Sequence, residues 1–329
     1  MTLTASVVVA TRTRPQLVRS CLTQLAALRT APLEIVVVDA SPDDETARLV
    51  AEEFPDVALV RNELGPPTTG ASRRLGYRAT DGDVVAFLDD HAAVDPEWLE
   101  ELLAPYRDAH VVGVAGRALS GIDGEETAGL SAIGRLLPDG RLTENFAADP
   151  GRVIEIDHMP GATMSVRRSA LDAIGGIRAH DPGTGFGEAS DISLRLRQAG
   201  GTLLFQPRAV VHLAATADTS RTEPSARRQL YSSRRHHIML LARVLGWHDP
   251  LVRRYARTVL LAQRDYVRSF AWRLGPRYAD GSRRALTARL MAPVVLTHAV
   301  AEVTGLVAGV AAALRASRGD RNVAPRTSG

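Results

Sequence analysis

The strongest constraint in this chain is an alternation. Short apolar runs, each closed by polar or acidic residues, are separated by stretches of helical periodicity. Residues 5–10 (ASVVVA), 34–39 (EIVVVD), 57–61, 83–88 (DVVAFL) and 111–115 read as buried strands. Between them, residues 16–28 place Leu17, Cys21, Leu22, Leu25 and Leu28 at helical spacing, and further helices are expected to about residue 54, over 71–79 and over 96–106. Such a βαβα order predicts an α/β fold with a mainly parallel sheet flanked by helices on both faces. Ligands of these sheets bind at the carboxyl ends of the strands.

Acids stand at that rim twice. Asp39 closes the second run, and Asp89-Asp90-His91 closes the fourth. An Asp after a strand is also an ordinary turn former or helix N-cap. Two such sites on one sheet favour a ligand rim. Further on, residues 119–150 are loop-rich, and 157–168 (DHMPGATMSVRR) combine a Pro-Gly turn with a short strand. Residues 180–187 read as a flexible segment, 188–198 as a helix, and 203–205 and 209–213 as two short strands. These features place one α/β domain over residues 1–215, in two parts that divide at 118. A helical extension is expected over 216–314, and a disordered tail over 315–329.

Charge divides the chain in the same place. It contains no lysine, so all 40 cationic side chains are Arg. That excludes Schiff-base chemistry and a P-loop lysine. Residues 1–220 carry 20 Arg against 31 Asp and Glu, whereas residues 221–329 carry 20 Arg against 6. A basic helical region suits packing against its own chain or an anionic membrane surface; no nucleic-acid motif accompanies it. One cysteine, Cys21, rules out an internal disulfide and suits a reducing, cytoplasmic setting. No targeting segment is read. The stretch 290–314 holds Pro293, His298, Glu302 and Gly305, which suits a buried or interfacial helix better than a membrane span.

Taken in order, the motifs resemble family 2 glycosyltransferases of the GT-A fold. The resemblance runs over about residues 4–213. It rests on the opening VVVATRTRP, on Val37-Val38-Asp39-Ala40-Ser41, on Gly70, Arg73 and Gly76, and on Phe87-Leu88-Asp89-Asp90-His91. Gly161–Arg168 (GATMSVRR), then Gly187, Glu188, Asp191, Ile192 and Arg195, then Val210-Val211-His212 complete it. The resemblance implies transfer of a sugar, with inversion, from a nucleotide-diphosphate sugar to a hydroxyl acceptor. UDP is the first donor reading, with dTDP and GDP open; the acceptor is a small molecule, a lipid-linked species or a polysaccharide. It implies donor binding by Thr11, Arg14, Asp39, Arg73, Asp89, Asp90 and Gly161, and a Mn²⁺ or Mg²⁺ ion held by Asp89 and His91, with His212 completing the shell. Arg73 and Arg74 are the expected diphosphate contacts.

The pattern departs from the family at two places. His91 stands where the family more often has Asp, which lowers the charge of a metal site and implies weaker use of Mg²⁺ or a site sensitive to pH. Ala189 replaces one member of the acidic pair that supplies the general base. Asp191 is then the preferred base and Glu188 the second choice. The plain alternative has Asp191 paired with Arg195 one helical turn on. Two other functions fit the residues: a nucleotide- or sugar-binding protein with a degenerate site, kept open by His91 and Ala189, and a nucleotidyltransferase, which lacks its usual Gly-rich, Lys-containing loop here. Self-association through the basic region is a further expectation.

Overall fold

The computed structural model describes residues 3–63, 68–178, 187–214, 226–274 and 283–323. The expected flexible segment falls almost wholly outside them, at 180–186, as do the expected domain boundary near 215 and the terminal 324–329. The chain divides into two compact units. One comprises Met1–Leu136 and Leu142–Ala217; the other comprises Leu137–Arg141 and Asp218–Gly329.

The first unit is built on one mixed sheet. Its strands are β1 (Ala5–Thr11), β2 (Glu34–Asp39), β3 (Ala58–Arg61), β4 (Val84–Asp89), β5 (Ala92–Val94), β6 (Val111–Leu119), β7 (Ile154–Glu155), β8 (Thr163–Arg167) and β9 (Thr202–Leu213). They lie in the order β3-β2-β1-β4-β8-β6-β9-β5, with β7 on β9. Only the β1, β2, β3 and β4 block and the β6–β9 pair are parallel. β8 runs antiparallel between β4 and β6, and β5 and β7 run antiparallel to β9. The expected mainly parallel sheet is present, with antiparallel additions at β8, β5 and β7. β8 follows a long loop and no crossover helix, so nothing forces it parallel. The expected pair of short strands at 203–213 is one bulged strand, with its register shift beside Pro207. Pro lacks the N–H for a continuous ladder and is tolerated at such a bulge.

Alternate side chains of the central strands enter two cores. Val7, Val9, Val37, Ala86 and Leu88 pack on one face with α1 (Pro15–Ala26), α2 (Glu45–Glu53) and α4 (Trp98–Leu103). Val8, Val36, Val38, Val85 and Phe87 pack on the other, with residues of α3 (Thr69–Arg78), α5 (Arg168–Ala173) and α6 (Glu188–Gln198). This is the period-2 consequence of apolar runs buried on both sides. Gly76 lets α3 lie directly on β1, since a Cβ there would stand 2.3 Å from a Val8 methyl.

The second unit holds α7 (Ala226–Val244), α8 (Pro250–Leu274) and α9 (Arg283–Val323). α9 continues past residue 314, where a disordered tail was expected, and a stretch of it, Ala292–Ala316, is long and apolar enough to cross a membrane by length and composition. One side of it is packed. A Cβ on Gly305 or Gly309 would stand 2.4 Å from the carbonyl oxygen of Tyr231 or Arg235 on α7, and Ala301 and Ala313 continue the same four-residue spacing. Beside this seam Glu302 is buried. It accepts from Arg234 of α7 at 2.6 Å and from Gln263 of α8 at 3.1 Å, so a single carboxylate links all three helices.

Candidate active site

Parallel register brings the strand-end residues into one row. Thr11 lies opposite Asp39, and Ala10 lies opposite Asp89. The carboxyl rim expected from the sequence is therefore real, and its carboxylates have distinct surroundings.

Asp39 is fully buried. One oxygen accepts from the Ser41 backbone N–H and hydroxyl, and the other accepts from Arg61 Nη1 at 2.6 Å. Arg61 ends β3 and also reaches the backbone carbonyls of Ser41 and Asp43. Its role was missed in the sequence, although its place at a strand end beside Asp39 was the available signal. Asp90 is buried too, and accepts from the Thr11 hydroxyl at 2.8 Å and from Arg14 at 3.1 Å. Thr11, Arg14 and Asp90 thus clamp the loop after β1 to the end of β4. Thr13 in that loop has φ 56°, a left-handed backbone that a β-branched residue adopts only when its surroundings impose it. Its N–H donates to Ser41 Oγ at 2.8 Å.

Asp89 is more open, with 27% of its side chain exposed, and accepts from Arg73 Nη2 at 2.9 Å. The same Nη2 donates to the Gly161 carbonyl at 2.6 Å. Arg73 is therefore a buried brace that ties Asp89 to Gly161 through Nη2. Gly161 has a matching constraint: a Cβ would stand 2.9 Å from Arg73 Nη1.

Glu188 opens α6, after Gly187 at φ 100°. It is buried, and its carboxylate lies over Gly70 so closely that a Cβ there would be 2.4 Å from Oε2. Its Oε1 has no hydrogen-bond partner among the described residues. Burial raises its pKa above the ordinary Glu value; Arg73 opposes this, while Asp191 and Asp89 add to it. Asp191 differs. It is gripped by Arg195 through Nε and Nη2, both at 2.8 Å, with Arg178 at 3.6 Å. Arg195 is itself anchored on the carbonyls of Ile174 and Gly176. The expected base Asp191 is thus paired as in the plain alternative, holding α6 to the loop after α5, whereas Glu188, the second choice, keeps an oxygen without a partner among the described residues. Asp191→Ala should cost about 3–5 kcal/mol of unfolding free energy, because it leaves Arg195 buried without its anion. Denaturant unfolding of the purified variant measures this directly.

His91 turns Nδ1 toward Asp90 at 3.3 Å. His212 lies opposite Ala93 in the β5–β9 ladder, and its Nε2 meets Asp95 at 3.2 Å. Among the described residues no three His, Cys, Asp or Glu side chains converge on one point suited to a metal ion, so His212 does not join Asp89 and His91 in this arrangement. The donors that remain are the second Asp89 oxygen and His91 Nε2. Such a short donor set leaves the other positions of an ion to a bound diphosphate and water, and an imidazole beside one carboxylate oxygen suits Mn²⁺ better than Mg²⁺.

Two other groups bear on the site. Cys21 is buried, and its thiol is pushed up to about 12 by burial and by the fields of Asp90 and Asp89, so it is no nucleophile. His158, also buried, has Nε2 2.7 Å from the Thr143 carbonyl. A carbonyl only accepts, so Nε2 donates there, and Nδ1 lies 3.3 Å from the Ser190 hydroxyl. This pair secures the first turn of α6 next to Glu188, and the sequence had not revealed it.

Comparison with known proteins agrees with this geometry. Residues 6–175 match the model of the family described as Glycosyl transferase family 2. The pre-mycofactocin glycosyltransferase of Mycobacterium tuberculosis is 29% identical over 213 residues, which cover 63% of this chain and 42% of that protein. The chain thus spans less than half the length of that relative. The succinoglycan biosynthesis protein ExoM of Rhizobium meliloti is 26% identical over 252 residues, covering 74% of this chain and 78% of that one. Among solved structures, the mannosyltransferase PcManGT of Pyrobaculum calidifontis, in complex with GDP-Man and Mn²⁺, superposes with a TM-score of 0.60 at 18% identity, covering 95% and 88% of the two chains. GalNAc-T7 with UDP, GalNAc and Mn²⁺ gives 0.57 at 19% identity, covering 78% and 51%. These two likenesses establish the shared fold. With the family model covering more than half of its length, the chain belongs to glycosyl transferase family 2.

Proposed function

We propose that the protein transfers a sugar from a nucleotide-diphosphate sugar, UDP being the first reading, to an acceptor hydroxyl with inversion at the anomeric carbon. The observation that carries this is Glu188: a buried carboxylate with an unpartnered oxygen, in the electric field of Asp89 and Arg73 at the strand-end rim. Glu188 takes the proton of the acceptor hydroxyl as its oxygen attacks the anomeric carbon. The bond from that carbon to the diphosphate oxygen breaks, and the electron pair leaves with the nucleoside diphosphate. Asp89 and His91 would hold Mn²⁺ or Mg²⁺, whose charge offsets that gathering on the leaving diphosphate. His212 would join them only by turning from Asp95. The Thr11–Arg14 loop and Asp39 form the floor under the nucleoside. The acceptor is a hydroxyl compound, soluble, lipid-linked or polymeric, and the reading places the reaction in the cytoplasm.

A second reading is a nucleotide-sugar binding protein without turnover. Ala189, at a position where the family carries an acid, is the residue that favours it.

A thermal-shift screen with UDP, GDP and dTDP, their sugar conjugates, and Mn²⁺, Mg²⁺ or EDTA separates the possibilities. A donor at a hundred times its Kd stabilises by about 2.7 kcal/mol. We expect that shift for one nucleotide, only with metal. Release of nucleoside diphosphate in the same samples distinguishes the transferase from the binding protein. A flat response to every nucleotide overturns the donor site, and a product of retained anomeric configuration overturns the inversion.

A further inference from the structure

The second unit carries a surface that the sugar-transfer chemistry does not use. On α8, Leu260, Val267 and Leu274 are 52, 58 and 48% exposed. They stand seven residues apart, so they form one stripe on one side of the helix, about 21 Å long. Arg257, Arg264 and Arg268 are exposed on the flank of that stripe, and the exposed Leu261 and Trp272 lie beyond them. The whole of α8 holds six Arg and a single acid, Asp265. Its opposite side, through Val252, Tyr255 and Val259, is buried within the unit. The chemistry repeats on α9. Val300, Val307 and Leu314 are exposed at the same seven-residue spacing, and Arg227 and Arg228 border a groove of about 580 Å³ beside Val300.

We propose that the second unit docks on an anionic lipid surface through this side of α8, an inference that goes beyond the transferase reading and does not depend on it. An apolar stripe edged by Arg, with a Trp at its margin, is the composition of a helix that lies in the headgroup layer. The guanidiniums reach the lipid phosphates while Leu260, Val267 and Leu274 leave water. Six Arg in 25 residues exclude a spanning role for α8. A second copy fits poorly, because an isologous contact would set these Arg against their own counterparts. A nucleic acid would satisfy the Arg and leave the apolar stripe in water.

The test is co-sedimentation of the full chain with phosphatidylcholine vesicles, with and without phosphatidylglycerol, at low and high salt. We expect binding to the anionic vesicles at low salt, with a blue shift of Trp fluorescence, and at least about tenfold weaker binding without phosphatidylglycerol. Leu260→Ser/Val267→Ser/Leu274→Ser should weaken it about a hundredfold or more. Arg257→Gln/Arg264→Gln/Arg268→Gln should do the same on anionic vesicles only. All six positions are exposed, so an unchanged melting temperature certifies each variant. Equal binding to both vesicle types, no binding to either, or a dimer in analytical ultracentrifugation that the serine variant breaks would each overturn the proposal.

Discussion

Asp89→Asn is expected to lower nucleoside diphosphate release by about 10²–10³-fold, the usual cost of removing one preorganised electrostatic group at a site of developing charge. The loss should come with disappearance of the metal-dependent part of the thermal shift, because Asp89 supplies the only carboxylate oxygen at the end of β4 left open by the described hydrogen bonds. The fold should tolerate the change. The amide oxygen still accepts from Arg73 Nη2, which keeps its second acceptor at Gly161. Asp89 is also partly exposed, so the pair it forms with Arg73 is screened by solvent. Circular dichroism and a melting curve establish that the variant is folded; steady-state kinetics then give the loss. Turnover within threefold of the parent protein would remove Asp89 from the donor site.

Glu188→Gln should reduce turnover by about 10²–10⁴-fold, the contribution of a positioned general base, while leaving the nucleotide-induced thermal shift intact. Its stability should move the other way. Burial holds the Glu188 pKa above its unfolded value. A carboxyl shifted in that direction stabilises the fold fully below the unfolded pKa, and the contribution is lost as pH rises through the folded pKa. The Gln variant does not titrate. Its stability relative to the parent should therefore grow as pH rises from the ordinary carboxylate range toward neutrality, and the two should differ least in acid. The same shift sets the acid limb of the parent's pH–rate profile above the ordinary Glu range, since only the ionised carboxylate takes a proton. Chemical denaturation of both proteins across that range is the check. A variant that loses stability relative to the parent as pH rises would mean that the carboxylate is held ionised by a partner in the fold.

How far the sequence could be read depended on whether neighbours in the chain or distant partners decide an element. β1, β2 and β4 were plain, because a run of Val and Ile buried on both faces has few other uses. The rim acids followed from the same logic. β5 and β7, of three and two residues, carry too little pattern to detect, and they exist because β9 offers them a ladder. The direction of β8 was hidden for the same reason. At the site, Asp191 and Arg195 were visibly one turn apart. What ties them into a structural pair is the pair of carbonyls at Ile174 and Gly176, which local spacing does not show. Arg73 was read as facing ligand because arginines at such a rim commonly do. Its inward turn depends on a glycine 88 residues away.

That long reach bears on how the molecule is made. β1, β2, β3 and β4 form a local parallel block that pairs early, as contacts of shorter sequence separation do. β8 must then arrive from some 75 residues further on to cover the open edge of β4 and offer the Gly161 carbonyl to Arg73. Until it does, the emerging chain displays an apolar strand, Val84–Asp89, with one edge unpaired, the kind of edge on which chains aggregate. A fragment ending near residue 118 would inherit that hazard permanently. The first 118 residues are therefore a poor unit to express alone, and fragments meant to isolate them should extend through β8.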